Sequence, residues 1–317
     1  MFKIPDVPSA EDLIDKAYKA GSMEAKRARA MGPKVPEKIL TGEIRRVLVA
    51  GNIITGHLNA IVERFPQFED LSEFHQYLLD LRVKKDKYKK SIGAVNWAAD
   101  RVESLQQKTL RKLKTTKDTE QSMPFLGRAA SFVKRVKSDL KFLQDVKKAL
   151  RSFPFFKDEP TLVVAGIPNA GKSTFVRTLT GSKIKVASYP FTTTDIMIGY
   201  KSIRHDEYQI IDSPGILDRP MSERNHVELQ AILAIRHLAD FVLYIIDPQA
   251  DLQQQLNLLK EIRDTLRVET YVAVNDKGTG VPEGYAVFNA QDEADCVRIF
   301  RECFGIVLDS KGRAIHP

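Results

Sequence analysis

The residues with the clearest chemistry are 166–173, whose sequence GIPNAGKS fits the pattern G-x-x-x-x-G-K-[ST]. Glycines let backbone N–H groups curl around phosphates, and the following helix adds its positive end. We expect Lys172 to reach the β- and γ-phosphates and the Ser173 hydroxyl to bind Mg²⁺. An apolar strand pattern before the run and a helical pattern after it argue against an accidental glycine turn. The other loop residues expected to contact the nucleotide are Asn169, Ala170, Gly171 and Thr174.

Two further loops are candidates for the metal and the γ-phosphate. Asp212 ends a strand-like run at 208–211, so its carboxylate is placed to hold Mg²⁺, directly or through water. Gly215, three residues on, can offer an unhindered N–H to the γ-phosphate. In the threonine-rich loop 189–194 we expect Thr193, or alternatively Thr192, to complete the Mg²⁺ shell when GTP is bound; a loop with no ligand role is the other interpretation. The expected catalytic positions are therefore Lys172, Thr193 and Gly215.

The base site departs from the usual pattern. Guanine is commonly read by N-K-x-D after a strand, whereas residues 275–278 read N-D-K-G, with Gly278 where an aspartate is expected. Either Asp276 takes the guanine-reading role or guanine selectivity is weakened; an Asn-Asp turn on an ATPase is the remaining interpretation. The segment 289–290 could present a backbone N–H to the guanine oxygen. The expected base-site residues are Asn275, Asp276, Lys277, Asn289 and Ala290.

The position that often carries a water-orienting glutamine, directly after Gly215, is Ile216. An apolar side chain cannot position water, so we expect hydrolysis to be slow without a partner. Asn169 is a candidate ligand for a K⁺ ion that would assist, and a loop-stabilising side chain is an equally good interpretation.

From residue 161 onward, strand-like and helix-like patterns alternate, which predicts an α/β P-loop GTPase domain over 158–317, with a mostly parallel sheet and helices on both faces. The predicted strands are 162–165, 195–202, 208–211, 241–246, 270–274 and 286–288. The predicted helices are 171–180, 223–238, 252–266 and 293–304. Cys296 and Cys303 are spaced two helical turns apart, so both are expected to face the core of a reduced cytoplasmic protein.

Residues 1–157 are predicted to form a preceding all-α domain. Leu58, Ile61 and Phe65 follow helical spacing, and Pro66 ends that run. Further amphipathic stretches are predicted at 71–81, 92–113 and 129–150. The start of the chain does not fit a signal peptide, and no apolar run is long enough for a bilayer, so no membrane partner is expected.

Positive charge is concentrated in the first half. Residues 1–160 hold 32 Lys and Arg against 21 Asp and Glu, a surplus of +11, whereas residues 161–317 carry −3. Twelve of the cations lie within 82–117 and eight within 128–151. Such faces neutralise phosphates without reading sequence, although a charge run is often only a solvated surface. Trp97 and Tyr88 could stack on bases, but a lone tryptophan in a helix more often belongs to the core.

Taken together, the motifs resemble the Nog-type (nucleolar GTP-binding protein) branch of the Obg-like GTPases over nearly the whole chain. The resembling residues of the second half include the phosphate loop, Asp212 to Leu217, Asp218-Arg219-Pro220, Glu223-Arg224-Asn225 and His237-Leu238. The resemblance implies GTP and GDP as ligands with Mg²⁺, a role in large-subunit assembly, and a helical domain placed on ribosomal RNA. DNA is not an expected partner. Without the long C-terminal extension of eukaryotic members, the chain looks like an archaeal version, so a nucleolar location is not implied.

Beside the switch enzyme, a second function from a different class and a third function stay open. A nucleotide-sensing scaffold on RNA that barely hydrolyses GTP would also fit Ile216 and the altered base motif. A GTPase with a non-ribosomal stress role is the third.

Overall fold

The computed structural model describes residues 3–30, 35–181, 184–189, 195–203, 205–213, 215–278, 280–305, 307–308 and 314–315. Contacts divide the chain into two compact units. The first, which we call the helical unit, comprises Met1–Leu71 and Arg82–Arg151. The second, the α/β unit, comprises Ser72–Leu81 and Ser152–Pro317. None of the helices in these described ranges is both long and apolar enough to cross a membrane.

The helical unit is built from long amphipathic helices, as their 3.6-residue apolar spacing predicts. Short 3₁₀ turns at Phe68–Asp70 and Thr119–Gln121 connect some of them. The helices are α1 (Ala10–Ala30), α2 (Val35–Arg64), α4 (Lys85–Thr116), α5 (Ser122–Arg135) and α6 (Lys137–Ser152). The predicted stretch 129–150 is therefore wrong as one helix: it is broken at Val136, whose N–H bonds to Val133 and Lys134 carbonyls. Neither glycine nor proline marks this break, so the spacing alone could not locate it.

A buried charge cluster fixes three of these helices. The Glu43 carboxylate of α2 is only 3% exposed. It accepts hydrogen bonds from Arg46 at 2.9 Å, from Arg29 of α1 and from the Ser122 hydroxyl of α5. A buried carboxylate is tolerated only when paired in this way, so these donors specify how α1, α2 and α5 meet.

The α/β unit contains a seven-stranded sheet. Its order is β2-β3-β4-β1-β5-β6-β7, with the β2–β3 and β3–β4 pairs antiparallel and the others parallel. This confirms the predicted fold class. The strands are β1 (Thr161–Ala165), β2 (Lys185–Ser188), β3 (Asp195–Ile203), β4 (Asp206–Asp212), β5 (Phe241–Ile246), β6 (Glu269–Asn275) and β7 (Ala286–Phe288), and a separate pair joins β8 (Val307–Leu308) to β9 (Ala314–Ile315).

Successive side chains along a strand point to opposite faces of the sheet, and helices pack on both faces. Leu162 and Val164 of β1 share one core cluster with α7 (Lys172–Thr180) and α10 (Glu293–Cys303). On β5, Leu243 joins that cluster, whereas the intervening Tyr244 donates its hydroxyl to Gln255 O of α9 (Leu252–Leu266). Both cysteines of α10 are buried, as expected.

Helix α8 (His226–Ile235) is shorter than the predicted 223–238. The Asn225 side chain accepts the Glu228 N–H at 2.8 Å, and the Glu228 carboxylate accepts the Asn225 N–H at 3.0 Å. This capping box begins the helix after Asn225, while Met221–Glu223 forms a separate 3₁₀ turn. The edge strand β2 was not predicted, because two of its four residues are charged or hydroxylic and give no apolar strand pattern. Its extended conformation is defined by antiparallel pairing with β3.

Helix α3 (Glu73–Val83) packs on the α/β unit although it precedes α4 in sequence. The Phe74 and Phe156 rings pack edge-on with their centroids 5.0 Å apart, and the Tyr77 hydroxyl donates to Gln230 of α8. The division therefore differs from the sequence-based boundary at 157/158, which assigned this helix to the first domain. Amphipathic spacing predicts that one face of such a helix is buried, but it does not identify the element against which that face packs.

Candidate nucleotide-binding site

The phosphate loop lies between β1 and α7, where its backbone takes conformations that favour glycine. Gly166 has φ of +138° and Gly171 has φ of +104°. A Cβ on Gly166 would lie 2.5 Å from Ile245 O, and one on Gly171 would lie 2.4 Å from the Asn275 side-chain nitrogen. The two glycines of the motif are therefore required by close neighbours as well as by their dihedral angles. Thr174 follows in the first turn of α7, exposed at the mouth of the loop.

Lys172 is the buried cation of this loop, at 6% exposure. Its Nζ donates to Gly166 O at 2.8 Å and to Ile167 O at 2.7 Å. Burial lowers the pKa of the ammonium, and the carboxylates of Asp212 and Asp218 partly oppose that shift. Phosphate oxygens seated in the loop would therefore meet a desolvated cation, for which charge pairing is strong.

Ser173 and Asp212, the two predicted Mg²⁺ ligands that the structure describes, are in direct contact. The Ser173 hydroxyl donates to Asp212 Oδ2, and Asp212 Oδ1 is buried with no hydrogen-bond partner within the described residues. Burial raises the pKa of this carboxyl, opposed by the Ser173 hydrogen bond and by Lys172. A hard cation held by the hydroxyl and the carboxylate would satisfy the orphaned oxygen, so the two residues fit Mg²⁺. The expected third ligand, Thr193, and its alternative Thr192 lie outside the described residues.

No group of three or more His, Cys, Asp or Glu side chains suited to a metal occurs in the described part of the chain. An ion at Ser173 and Asp212 would therefore have to complete its shell with water, phosphate oxygens or other hydroxyl groups, which is how Mg²⁺ is commonly bound.

The loop after Asp212 contains an ion pair that the sequence reasoning did not assign a role. The Gly215 N–H donates to Asp218 Oδ2 at 2.8 Å. Arg224, whose side chain is 2% exposed, donates to Gly215 O at 2.6 Å, to Ile216 O at 2.8 Å and to Asp218 Oδ1 at 3.2 Å. Ile216 itself is 1% exposed. The Gly215 N–H expected at the γ-phosphate thus already has a carboxylate acceptor. The only sequence signal for this pair was its place in the strings D-R-P and E-R-N of the family resemblance.

At the other end of the site, Asn275 joins two loops. Its Nδ2 donates to Ala170 O at 3.0 Å, and its Oδ1 accepts the Ala290 N–H at 3.0 Å. Lys277 Nζ donates to Asn169 O at 2.8 Å and to Asp247 Oδ2 at 2.7 Å. The structure thus brings the predicted residues Asn169, Ala170, Asn275, Lys277 and Ala290 together. Asp247, at the end of β5, was not foreseen.

The backbone N–H groups that residues 289–290 were expected to offer to guanine both have protein acceptors in this structure, and that role stays a prediction. The Asn289 N–H donates to Asp295 Oδ2 at 2.9 Å, and the Ala290 N–H is taken by Asn275. A guanine oxygen could reach either N–H only by displacing a protein acceptor. Asp276 is exposed and its Oδ1 accepts the Gly278 N–H at 2.8 Å, so its proposed guanine-reading role stays a prediction.

Comparison with known proteins matches both halves. Residues 2–156 fit the model described as NOG1 N-terminal helical domain, and residues 161–276 fit that of a 50S ribosome-binding GTPase. An uncharacterised protein of Methanocaldococcus jannaschii is 35% identical over 281 residues, which cover 86% of this chain and 79% of that protein. The chain belongs to the NOG1 family. This confirms the resemblance drawn from the motifs.

Other NOG1-family relatives are longer. Nucleolar GTP-binding protein 1 of Saccharomyces cerevisiae is 31% identical over 86% of this chain, and that of Drosophila melanogaster is 32% identical over 82%. The chain spans 44% and 41% of their lengths. Among solved structures, the G domain of the Thermotoga maritima FeoB iron transporter aligns with 45% of this chain and 99% of that one, at 23% identity and a TM-score of 0.36.

Proposed function

We propose that this chain is a switch enzyme that binds GTP with Mg²⁺, hydrolyses it to GDP and phosphate, and acts in assembly of the large ribosomal subunit. The observation that carries the proposal is the pairing of Ser173 with an Asp212 carboxylate that has one unsatisfied buried oxygen, beside Lys172. Family membership and the description of the second domain as ribosome-binding support the ribosomal part.

In this proposal, water attacks the γ-phosphorus and the bond to the β-γ bridging oxygen breaks, leaving GDP. Lys172 and the N-terminus of α7 stabilise charge on the phosphates. Ser173 and Asp212 would hold Mg²⁺, which supplies further charge neutralisation when bound. Gly215 contributes its N–H to the γ-phosphate once Asp218 releases it.

Ile216, buried at the water-orienting position, leaves the attacking water without a positioning side chain. Slow turnover without a partner or K⁺ therefore belongs to the proposal. Asn169 is exposed at the loop, with φ of +63°, and is the proposed K⁺ ligand. Its backbone oxygen, by contrast, holds Lys277.

We place the helical unit on ribosomal RNA because of where its cations lie. Some are already neutralised: Lys85 and Lys89 pair with Glu69, and Lys137 pairs with Glu11. On α4, however, Lys108, Arg111 and Lys112 are exposed at i, i+3 and i+4 spacing and have no acidic partner within 4.0 Å among the described residues. These three share one helix face and can contact consecutive phosphates.

Charge reversal tests the RNA assignment. Changing Lys108, Arg111 and Lys112 together to Glu should weaken binding of ribosomal RNA and reduce the log–log salt slope by about 2 to 3. The matched control changes the exposed Lys260 and Arg263 of α9 and Arg267, which directly follows α9, to Glu, which alters net charge equally on the α/β unit. Equal loss in the two variants would contradict an RNA surface on α4.

A nucleotide-sensing scaffold is the second candidate, favoured by the Gly215 N–H already being bound to Asp218. Single-turnover hydrolysis of GTP in K⁺ and in Na⁺, with and without large ribosomal subunits, separates the two. Stimulation by subunits, together with co-sedimentation that depends on the nucleotide, supports the switch enzyme. Co-sedimentation with no detectable phosphate release under any of these conditions supports the scaffold. The predicted cytoplasmic location stays a prediction in either case.

A further inference from the structure

An aromatic pair on the helical unit lies outside the cation set assigned above. Trp97 of α4 and Phe132 of α5 have ring centroids 5.8 Å apart and ring planes at 88°. Both side chains are only half-buried. Tyr88, the other aromatic residue considered from the sequence, is 2% exposed and its hydroxyl donates to Pro66 O. Tyr88 therefore belongs to the core, whereas Trp97 and Phe132 reach the surface.

Two arginines border the indole. The guanidinium carbons of Arg101, one turn further along α4, and of Arg135 on α5 each lie 5.9 Å from the Trp97 ring centre. That distance is at the outer limit of a cation–π contact with the ring. Both arginines are exposed. Their planar groups can stack on a base or form paired hydrogen bonds with a phosphate.

An exposed glycine lies one helical turn before Trp97. Gly93 is four residues before Trp97, so both lie on the same face of α4. A Cβ on Gly93 would have no heavy atom within 4 Å. Glycine inside a helix is less favourable than alanine. No close neighbour requires glycine here, unlike Gly51, where a Cβ would collide with the Gln106 side chain.

We propose that Trp97 and Phe132, flanked by Arg101 and Arg135, form a stacking site for an unpaired RNA base. This rests on the proposed RNA-binding function and adds base contact to phosphate neutralisation. The occupant is a single-stranded segment, because duplex bases are already stacked on one another and unavailable. A π-surface accepts any base, so the site is sequence-tolerant, and the two arginines complement the flanking phosphates.

Trp97 is the single tryptophan of the chain, so its fluorescence reports on this site directly. The 317-residue chain is titrated with a 12-nucleotide oligo(A) and with a 12-unit ribose-phosphate chain that lacks bases. We expect oligo(A) to quench the tryptophan fluorescence and to bind about tenfold or more tightly than the abasic chain, which should not quench. Equal affinity and equal quenching would overturn the stacking site.

A charge-neutral variant tests the geometry. Gly93→Leu adds an apolar side chain to the face of α4 that carries Trp97, one turn away, and should obstruct a base approaching the indole. We expect it to reduce oligo(A) affinity to that of the abasic chain and to leave abasic binding unchanged. Gly56→Leu is the control, because Gly56 is also an exposed helical glycine with nothing within 4 Å of a Cβ. Trp97→Phe should retain part of the preference for oligo(A). The same oligo(A) affinity in both leucine variants would contradict the proposal.

The result also separates this proposal from the RNA-binding function. Salt-sensitive binding of both probes with equal affinity would remove only the stacking site. Failure of both probes to bind, together with no co-sedimentation with ribosomal subunits, would overturn both proposals.

Discussion

The Gly215 N–H and the Asp218 carboxylate form a hydrogen bond of 2.8 Å at the position where a γ-phosphate is expected. Asp218 is in turn paired with Arg224, whose guanidinium also holds the Gly215 and Ile216 carbonyls. The carboxylate and the γ-phosphate are both anionic acceptors for the same donor. Their competition would make this ion pair a determinant of how strongly the protein distinguishes GTP from GDP.

Asp218→Ala should therefore increase the ratio of GTP-analogue affinity to GDP affinity by about fivefold or more, since a hydrogen bond to a charged group contributes about 1.5–3 kcal/mol. Calorimetric titration with GDP and a non-hydrolysable GTP analogue measures the ratio. The control is Asp251→Ala, which removes a carboxylate that accepts a backbone N–H at the start of α9. An unchanged ratio in Asp218→Ala would show that the two acceptors do not compete.

Asp212→Asn and Ser173→Ala should each raise the Mg²⁺ concentration needed for half-maximal GTP binding, by about tenfold or more, because the first removes the negative charge of one predicted ligand and the second removes the other ligand. A Mg²⁺ titration with a fluorescent GTP analogue measures this. Ser213→Ala is the matched control: its hydroxyl donates to Val164 O at 3.0 Å and has no expected role at the metal. The same Mg²⁺ dependence in Ser173→Ala as in Ser213→Ala would contradict the metal assignment.

Asn275→Ala should weaken GTP and GDP binding and lower thermal stability by several degrees. It leaves the Ala170 carbonyl and the Ala290 N–H without their partner, and unsatisfied buried groups cost about 1–3 kcal/mol each. Asp276→Ala should leave stability unchanged but reduce the preference for GTP over ATP if Asp276 reads guanine. Competition between the two nucleotides measures it. An unaltered preference in Asp276→Ala would restrict guanine recognition to other groups.

The pH dependence of stability should include a contribution from His75. It is 5% exposed, and its ring nitrogens lie 2.7 Å from Ser72 Oγ and 3.0 Å from Pro154 O. Burial lowers the pKa of His75 in the folded state. Below about pH 6.5 the unfolded chain takes up a proton that the folded chain does not, so stability is full above that pH and decreases as pH falls.

Urea unfolding at pH 5.5 and 7.5 checks this contribution. His75→Gln should be less stable than the parent at pH 7.5 but should lose less stability on acidification. The exposed His205→Gln should keep the parent's pH dependence. Parallel curves for His75→Gln and the parent would contradict the assignment.

The sequence by itself determined the local chemistry of the nucleotide site. The glycines of the phosphate loop, Lys172 and Ser173 follow one another in the chain, so their spacing dictates a strand, a loop and a helix start. Alternating strand and helix patterns likewise predicted the fold class, because periodicity is a local property. The family resemblance followed from the same short strings.

Only the tertiary structure decided which groups meet across elements. Arg224 donates to the Gly215 and Ile216 carbonyls, and Asn275 links two loops. Trp97 is half-exposed beside Phe132. No local sequence pattern encodes these arrangements. Helix α3 is a further example, because its apolar face predicts burial without identifying the partner. Its aromatic contact with Phe156 and its hydrogen bond to Gln230 are what join it to the α/β unit. The hydrophobic effect is non-directional, so an apolar helix face does not specify its partner. These contacts depend instead on the three-dimensional arrangement that the whole core imposes.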